Sequence, residues 1–465
     1  MAPTTTRDAV EAPKIEIALA VILGKEYFHH VEGSGEGNDN DTEAFMLETR
    51  QKAFDWIVNK DPIQLEFDAP NLVQRFLLVL FYFQTTRHQP WKECNPPATP
   101  QRSASGNFCY TLDPSTGDTT SSIWGDQWLS ASHECQWAGM ICEAVQSKEK
   151  TVVGLRMTWN QLNGPLPWEM ARLPHLKQLF LSHNMLSGML PPKLLSFSLE
   201  SLHLGNNQLS GPLPARWFET LHDGNAKLIN LQISSNRLTG TIPSELGISP
   251  LKTLGLRNNS LTGSLPLDLF HMGSFKSLDF VQNDLTGTLP SEIGLLTHLH
   301  YIFLSHTGIA GTLPSEIGLA TQLHEIFASY SNMEGTIPEE VYAGLTELIA
   351  LALNGCNFSG TISSSLGLFT DLVWLHVANN NFHGTIPNEI GALTELRQLV
   401  VNGNQLTGTV PVSVCHSVAY IENYGGSSVV TADCLPNPGT GVPTIGCDDD
   451  CCTSCCDNTG VCLAN

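Results

Sequence analysis

The sequence predicts an α/β solenoid, a stack of short repeats, across more than half of its 465 residues. Three observations support this prediction: a glycine recurs at a nearly fixed interval, apolar residues keep constant places between glycines, and an asparagine follows them in most turns. Eleven copies at this period indicate a solenoid in which each repeat packs on its neighbours. Successive glycines are 23 to 25 residues apart, except for 29 before Gly240, and they are Gly164, Gly188, Gly211, Gly240, Gly263, Gly287, Gly311, Gly335, Gly360, Gly384 and Gly408.

The leucine spacing identifies the kind of repeat. In the stretch LKTLGLRNNSLTGSLP, Leu251, Leu254 and Leu256 are predicted to point into the core, and the residues between them form a short strand with one exposed face. Such repeats are leucine-rich repeats, so the predicted strands stack in parallel.

One position of the repeat is asparagine in most turns. Its side chain can form hydrogen bonds with backbone groups that would otherwise be buried without a partner. Three consecutive turns carry Thr307, Ser331 and Cys356 instead, and we expect a weaker hydrogen-bond network there. Cys356 is interpreted as a buried structural thiol rather than a reactive one. The asparagines are Asn160, Asn184, Asn207, Asn236, Asn259, Asn283, Asn380 and Asn404.

The chain is acidic, with 45 Asp and Glu residues against 23 Lys and Arg residues and a net charge of −22. This balance argues against nucleic acid and against anionic membranes as partners. The longest apolar runs, Ile15–Leu23 and Phe76–Phe83, are far shorter than the roughly 18 to 20 residues that a membrane span requires. The sequence therefore predicts a soluble chain without a membrane span.

Of the thirteen cysteines, twelve flank the repeats and only Cys356 lies within them. Cys94, Cys109, Cys135 and Cys142 precede the repeats, and eight cysteines follow. Two even sets indicate disulfide-bonded caps formed in an oxidising compartment, so we predict an extracellular or cell-surface location. No clear signal peptide begins the sequence, which an incomplete N-terminus or an unusual export route would explain. The eight cysteines that follow the repeats are Cys415, Cys434, Cys447, Cys451, Cys452, Cys455, Cys456 and Cys462.

The residues before the repeats divide at about residue 43. Residues 1–43 end in a glycine- and acid-rich run and are predicted to be disordered. The pair His29-His30 in this segment lacks a third metal ligand. Residues 44–150 are predicted to form the N-terminal cap, including a loop from Cys94 to Thr120 that a Cys94–Cys109 disulfide closes.

Two helices are predicted within this cap. The first carries Phe54, Trp56 and Ile57, and the second has an apolar face at helical spacing. We expect both helices to cover the open core of the first repeat; a membrane-surface helix is the alternative, which the acidic surroundings disfavour. The face of the second helix consists of Leu72, Val73, Phe76, Leu77, Leu80 and Phe81.

A disulfide-closed segment directly precedes the first repeat. Cys135, Trp137, Gly139 and Cys142, with Met140 in an aliphatic place, match the pattern Cys-x-Trp-x-Gly-[Val/Ile]-x-Cys. The segment resembles the N-terminal cap of plant-type leucine-rich repeat receptors.

The repeats themselves are similar to the plant-specific subclass, whose tail reads Leu-Thr-Gly-x-[Ile/Leu]-Pro, over residues 152–411. The resemblance implies a right-handed superhelix, or horseshoe, of eleven repeats within residues 151–412, with a parallel sheet on its concave side and short helical turns outside. Repeat nine departs from the pattern with Ser363 in the proline place. The prolines are Pro167, Pro191, Pro214, Pro243, Pro266, Pro290, Pro314, Pro338, Pro387 and Pro411.

Residues 413–465 are predicted to form a Cys-rich C-terminal cap. Its end, CDDDCCTSCCDNTGVC, lacks the paired CxxC hooks and histidines of zinc sites, so disulfides are favoured over the alternative of a metal–thiolate cluster. Together with the cap helices, this tail resembles those of leucine-rich repeat proteins predicted in diatoms and related algae.

A candidate ligand-binding patch lies on the predicted concave face, where exposed places alternate along each strand. Outward-facing aromatic residues on a rigid sheet are typical of binding hot spots, although they could instead pack on one another or on an N-terminal segment. A peptide or a glycan suits such a strip, and the resemblance implies these ligand classes. The central outward places are Arg156, Phe180, His203, Gln232, Gly255, Asp279, Phe303, Phe327, Ala352, His376 and Val400. The predicted ligand-binding residues, over repeats seven to ten, are Tyr301, Phe303, Glu325, Phe327, Tyr330, Trp374 and His376.

Two further patterns recur at fixed places in the repeats. His300 and His324 share one place in adjacent repeats but lack a carboxylate partner, so no metal site is predicted. A ladder of hydroxyl residues follows the marker glycines and suggests ice binding as a minor alternative. The ladder consists of Thr241, Ser264, Thr288, Thr312, Thr336, Thr361, Thr385 and Thr409.

Catalytic signatures are missing from the sequence. It contains no phosphate loop, nucleophile elbow, His-Glu zinc motif or kinase signature, so we predict neither an enzyme nor a cofactor. Sequons at Asn40, Asn258 and Asn357 give weak support for a glycoprotein.

These observations together predict a non-enzymatic recognition protein, similar to a plant-type receptor ectodomain, that binds a peptide, protein or glycan on its concave face. A membrane-anchored co-receptor is a further predicted partner. The alternative is a secreted inhibitor of carbohydrate-degrading enzymes, as some short plant-type members are.

Overall fold

The computed structural model describes residues 14–17, 19, 40–87, 89–91, 108–111, 123–144, 150–195, 198–222, 227–271, 273–414, 429–434, 445–446, 452, 454–456 and 462–464. The chain divides into two compact units, Met1–Leu238 and Thr239–Asn465. Both units are leucine-rich repeat solenoids, as the sequence predicts. The predicted boundaries after residues 43, 150 and 412 stay predictions, and His29-His30 lies outside the described residues.

Helices open the first unit: α1 spans Asn40–Asp55, a π-helical turn spans Trp56–Lys60, and α2 spans Leu72–Gln84. Residues 14–17 and 19 are also helical, which differs from the disorder predicted for residues 1–43. Ile15 and Leu19 are fully buried there, so local apolar burial orders part of a segment whose composition is mostly polar.

Helix α2 closes the edge of the first repeat. Its predicted apolar face is confirmed, since Leu72, Phe76, Leu77, Leu80 and Phe81 are all at most 2% exposed, while Val73 is half-buried. Burial extends to polar residues of the same helix. The side-chain oxygen of Gln74 accepts hydrogen bonds from the Val152 amide at 2.8 Å and the Thr151 hydroxyl at 2.9 Å. The helix therefore covers the core and also satisfies backbone of the first repeat strand.

The repeat strands of each unit form a long sheet, called here the main sheet, which corresponds to the predicted concave sheet. The strands in the first unit are Met140–Ala144, Lys150–Arg156, Gln178–Phe180, Ser201–His203 and Asn230–Gln232, with only the first pair antiparallel. The strands in the second unit are Thr253–Gly255, Ser277–Asp279, Tyr301–Phe303, Glu325–Phe327, Ala350–Ala352, Trp374–His376, Gln398–Val400, Val429–Ala432, Ser454–Cys456 and Cys462–Ala464, with only the last pair antiparallel.

Three-residue strands alternate strictly between core and surface. The middle residue, such as Leu254, Ile326 or Leu375, is at most 2% exposed, and its two neighbours lie on the opposite face of the sheet, where all but a few small residues such as Ala350 are partly exposed. Because every strand pairs with the next at the same register, the outward residues align in rows across the sheet.

Shorter strands lie on a second row in each unit, called here the second sheet, and two more form a hairpin in the first unit. Those of the first unit are Asn163–Pro165, Met185–Met189, Gln208–Gly211 and Arg237–Leu238, and the hairpin pairs Phe108–Thr111 with Ile123–Asp126. Those of the second unit are Thr262–Ser264, Asp284–Thr286, Ala310–Thr312, Asn332–Gly335, Asn357–Thr361, Asn381–Thr385, Gln405–Thr409 and Ile445–Gly446.

Short helices connect the two rows of strands. The proline before most of them fixes φ at the start of the helix. In repeat nine, Ser363 replaces this proline. Its hydroxyl accepts a hydrogen bond from the Ser365 amide at 3.1 Å and so caps the helix. The 3-10 helices are Glu134–Gln136, Trp168–Arg172, Ser244–Ile248, Leu267–His271, Ser291–Leu295, Ser315–Leu319, Ser364–Leu368 and Asn388–Ala392, and the α-helices are α3, Ala215–His222, and α4, Glu339–Gly344.

The asparagine ladder forms hydrogen bonds between adjacent coils. The Oδ1 atom of Asn380 accepts the Phe358 amide at 3.0 Å, and its Nδ2 donates to carbonyls of Leu353 and Val377 at 2.7 and 3.0 Å. Where asparagine is missing, the hydroxyls of Thr307 and Ser331 each donate to a carbonyl of their own turn. In these two turns a hydroxyl that donates one hydrogen bond thus replaces an asparagine side chain that both donates and accepts hydrogen bonds.

Restoring the ladder is expected to stabilise the second unit. Cys356 is buried, and its Sγ lies 3.2 Å from the Ala328 carbonyl. An asparagine would keep this donor bond and add an acceptor, so Cys356→Asn should raise the free energy of unfolding by about 1 kcal/mol. Urea denaturation measures the change, with Cys356→Ala as the control that removes the bond. A less stable Asn variant would mean that the site lacks room for the larger amide.

Disulfides join cysteines of both caps. Cys135 pairs with Cys142 and Cys434 pairs with Cys455, and Cys452 and Cys456 are also disulfide-bonded. Cys356 is free and buried, in agreement with its interpretation as a structural thiol. Cys94 is outside the described residues, so the predicted Cys94–Cys109 bond stays a prediction.

Candidate functional site

Six of the seven predicted ligand-binding residues occupy the main sheet of the second unit. The register aligns them in two rows with Ala350 and Ala352 in the intervening strand. One row runs Tyr301, Glu325, Ala350, Trp374 and Gln398; the other runs Phe303, Phe327, Ala352, His376 and Val400. The predicted cluster of repeats seven to ten is thus continuous except for the alanine strand.

The aromatic rings of these rows contact each other only in part. The ring centroids of Phe303 and Phe327 are 5.2 Å apart, and those of Tyr301 and Phe303 are 6.2 Å apart. Trp374 remains 37% exposed. Mutual packing therefore accounts for some of this patch but leaves aromatic surface open to solvent.

Tyr330 lies beside the rows, in the turn after its strand. Its backbone has a φ of +57°, its side chain is 53% exposed, and its ring stacks on that of His306 with centroids 4.8 Å apart. The seventh predicted residue thus borders the sheet without sharing its strand register.

Two ionisable groups in the patch have pKa values shifted by burial. Burial lowers the pKa of His376, although the hydrogen bond to Gln398, at 2.8 Å between Nε2 and Oε1, opposes the shift. Burial also raises the pKa of Glu325, and the nearby His324 opposes that shift. The patch thus combines a neutral imidazole with a carboxylate whose charge is costly to hold.

Acidification is expected to destabilise the second unit through His376. Because its folded pKa lies below the unfolded value of 6.5, the unfolded chain binds more protons, and stability falls as the pH drops through about 6.5. Thermal midpoints measured between about pH 7.5 and pH 5.5 should decline less for His376→Gln than for the wild type. Equal slopes for the two proteins would contradict the shifted pKa. The raised pKa of Glu325 acts oppositely and at lower pH, so the comparison isolates His376.

A depression of about 340 Å³ opens between the aromatic strands. Ala352, 9% exposed, forms its floor, and Phe327 and Trp374 stand on opposite sides. The volume is within the range of ligand-sized cavities. The lining residues are Ser305, Phe327, Ser329, Ala352, Asn354, Trp374, His376 and Gln398.

The main sheet of the first unit carries a different arrangement. The Arg156 guanidinium lies 5.2 Å from the Phe180 ring centroid, and Phe180 meets His203 edge-on at 4.6 Å. In the adjacent turns, Trp159 stacks on His183 with centroids 3.9 Å apart. These side chains contact one another more closely than those of the predicted patch, which makes them a weaker binding candidate.

The hydroxyl ladder lies on the second sheet of the second unit, and its residues are exposed. It also has a packing role. A Cβ placed on Gly311, which has a φ of +78°, would lie 3.0 Å from the Thr288 γ-methyl. The same contact recurs at Gly335 with Thr312 and at Gly360 with Thr336, both at 2.8 Å. The γ-methyl groups of these threonines therefore lie against the next marker glycine, which gives their positions in the ladder a packing role.

Neither a metal-binding cluster nor a membrane-spanning helix is present among the described residues. No group of three or more His, Cys, Asp and Glu side chains there could hold a metal ion. The His300 and His324 rings are 5.1 Å apart, and His324 lies 3.7 Å from a Glu347 oxygen. Within the same residues, each helix is too short or too polar to cross a bilayer.

Solved structures of plant receptors resemble the chain. The plant peptide hormone receptor RGFR1, in complex with RGF2, is 27% identical with a TM-score of 0.51, covering 64% of this chain and 50% of that one. The LRR ectodomain of the Arabidopsis receptor kinase HAESA, in complex with an IDA peptide hormone ligand, is 28% identical with a TM-score of 0.50, covering 56% and 47%.

Sequence comparison points the same way. The family described as Leucine Rich Repeat matches residues 175–197, 198–219, 227–247, 250–272 and 371–393. Receptor-like protein 3 of Arabidopsis thaliana is 35% identical over 159 residues, which cover 32% of this chain and 21% of that protein. The chain contains leucine-rich repeats and is similar to plant-type leucine-rich repeat receptor-like proteins. It spans about a fifth of that relative and half or less of the two receptor chains.

The polar half of the depression is not among the residues predicted from the sequence. Ser305, Ser329, Asn354 and Gln398 line it, and Asn354 also accepts the Ala378 amide at 2.9 Å. The available signal was Ala352, a small residue in a column between Phe327 and His376. A small residue between large ones in such a column indicates a gap in the surface.

Proposed function

We propose that this chain is a non-enzymatic recognition protein that binds a peptide or protein on the main sheet of its second unit. The observation that carries the proposal is the partly exposed aromatic patch on a parallel sheet, with Trp374 at 37% exposure. Aromatic anchors in such patches provide much of the binding energy of protein interfaces. The proposed contact residues are Tyr301, Phe303, Glu325, Phe327, Tyr330, Trp374 and His376.

A peptide suits the patch better as a ligand than a polyanion or a purely apolar partner surface does. The rows alternate rings with a carboxylate and hydrogen-bonding groups, so they can take apolar side chains and main-chain amides together. The chain carries a net charge of −22, which favours a neutral or basic ligand. That RGFR1 and HAESA were solved with peptide hormones supports the same ligand class.

An array carrying both synthetic peptides and plant glycans would test this function. We expect the chain to capture a subset of the peptides and not the glycans. Glycan capture without peptide capture would overturn the proposal. A parallel panel of pectin- and glycan-hydrolases tests the inhibitor alternative, which inhibition by the chain would favour.

We propose an extracellular or cell-surface location, with a membrane-anchored co-receptor as a further partner. Disulfides such as Cys135–Cys142 support it, because such bonds persist mainly in oxidising compartments. Mass spectrometry of the protein from its native cells would count free thiols. A single free thiol at Cys356 is expected, whereas free thiols at nearly all cysteines would mean an intracellular scaffold.

A further inference from the structure

The alanine strand separates two groups of rings on the patch. Strands of a sheet are about 4.8 Å apart, so side chains on either side of Ala350–Ala352 stand about 9.6 Å apart. A ring stacked between two others needs about 7 to 8 Å, twice the optimal carbon–carbon separation. The gap therefore has room for one inserted ring and little more.

The walls of this gap are held apart by their outer neighbours. Phe327 contacts Phe303 on the side away from the gap, at 5.2 Å between centroids. His376 is bound to Gln398, again on the far side, at 2.8 Å. The opening is thus built into the packing of the neighbouring strands and is present before any ligand binds.

The depth of the gap differs between the two rows. Ala350 is fully buried between its register partners Glu325 and Trp374, whereas Ala352 forms the floor of the depression. An entering group would therefore sit over Ala352, against Phe327 and His376. Ser305 and Ser329 also line the depression.

No carboxylate, ammonium or guanidinium lines this depression, and burial keeps the His376 imidazole neutral at neutral pH by lowering its pKa. A charged group entering here would lose water without gaining a counter-ion. The chemistry of the depression thus favours an uncharged ring.

A carboxylate lies next to the gap rather than in it. Glu325 is two residues from Phe327 and diagonal to Ala352, a relation that spans about 7 to 8 Å in sheets. Among the described residues, no lysine or arginine pairs with Glu325. Burial raises its pKa, and a ligand cation would relieve this cost.

We infer that the depression over Ala352 takes an uncharged ring side chain, aromatic or proline, of an extended peptide that carries a lysine or arginine within two residues of the ring. The separation follows from the rise of about 3.3 Å per extended residue. This inference rests on the proposed peptide-binding function and adds the residue pattern of the ligand.

The test uses an array of capped synthetic peptides in a Gly-Ser background, with glycans printed alongside. Each peptide carries one ring residue or an alanine in its place, and one lysine at a varied distance. The wild-type chain should bind peptides with a ring and a lysine within two residues at least about tenfold better than their alanine counterparts.

Variants test separately which residue causes the preference for a ring and which causes the preference for a lysine. Ala352→Leu fills the depression and should abolish the preference for rings while keeping that for lysine. Glu325→Gln should do the reverse. Ala343→Leu, the same change at an exposed place in α4 of the same repeat, should bind as the wild type. Thermal midpoints check folding, and the smaller Ala352→Val replaces Ala352→Leu if the leucine unfolds the repeat.

The outcomes separate the inference from the function on which it rests. Peptide capture with an unchanged ring preference in the folded Ala352 variant would overturn the inference and leave the function standing. Peptide capture by the wild type without regard to rings would do the same. Capture of glycans alone, or of nothing, would overturn the proposed function itself.

Discussion

Replacing Arg75 by methionine is expected to lower the free energy of unfolding of the N-terminal unit by about 3 to 5 kcal/mol. Arg75, Asp61 and Glu134 all have fully buried side chains. Methionine preserves much of the apolar volume but removes the buried cation that pairs with the carboxylates of Asp61 and Glu134. That loss, rather than the ion pair alone, sets the size of the effect.

The geometry around Arg75 explains why one residue has such an effect. Its Nε and Nη2 donate to both oxygens of Asp61 at 2.8 and 2.9 Å, and further N–H groups donate to the carbonyls of Ser130 and Ser132 at 3.0 and 3.1 Å. The guanidinium also lies 4.7 Å from the Trp137 ring centroid. One side chain of α2 thus binds the turn at Asp61 and the segment before the Cys135–Cys142 disulfide.

Urea denaturation followed by tryptophan fluorescence would measure the change, because the buried Trp91, Trp128 and Trp137 report on this unit. Lys177→Met is the matched control. Its ammonium pairs with Glu143 at 2.7 Å on the surface, where solvent screens the interaction, so its midpoint should stay near the wild-type value. Equal midpoints for the two variants would show that the buried network adds no net stability.

This network also marks a limit of prediction from sequence. The spacing of Leu72, Phe76 and Leu80 predicts the apolar face of α2, because helical periodicity is a local property. The burial of Arg75 depends on acceptors 14 residues away at Asp61 and 57 residues away at Ser132. Such partners are brought together only by the folded cap, and no local pattern in the sequence pairs them.

Contacts within the repeats, unlike those of Arg75, can be predicted from the sequence because the same geometry recurs in each repeat. A fixed period and a two-residue alternation place Phe303, Phe327 and His376 in one row, and the strand register agrees with this column. The small Ala352 in this column marks the place of the depression but not its depth. Its depth depends on how the side chains around Ala352 pack, and this is a property of side-chain packing rather than of period.

The double substitution Phe327→Ala and Trp374→Ala is expected to weaken peptide capture at least about 100-fold. The two rings border the depression from opposite sides, so their removal takes away both aromatic surfaces that an inserted ring would contact. Two hot-spot aromatics at about 2 kcal/mol each would exceed this factor. Titration of an array-selected peptide against each protein, followed by calorimetry, measures the loss.

Stability should change far less than binding. Trp374 is 37% exposed, and Phe327 is half-buried with one ring contact, to Phe303, so truncation leaves the inward Ile326 and Leu375 in place. The matched control makes the same pair of chemical changes in the first unit, Trp159→Ala with Phe180→Ala, and should bind peptide as the wild type does. If the control loses capture instead, the binding surface is in the first unit. If the second-unit variant unfolds, its rings hold the repeats together, and exposed aromatic surface alone does not identify the ligand site.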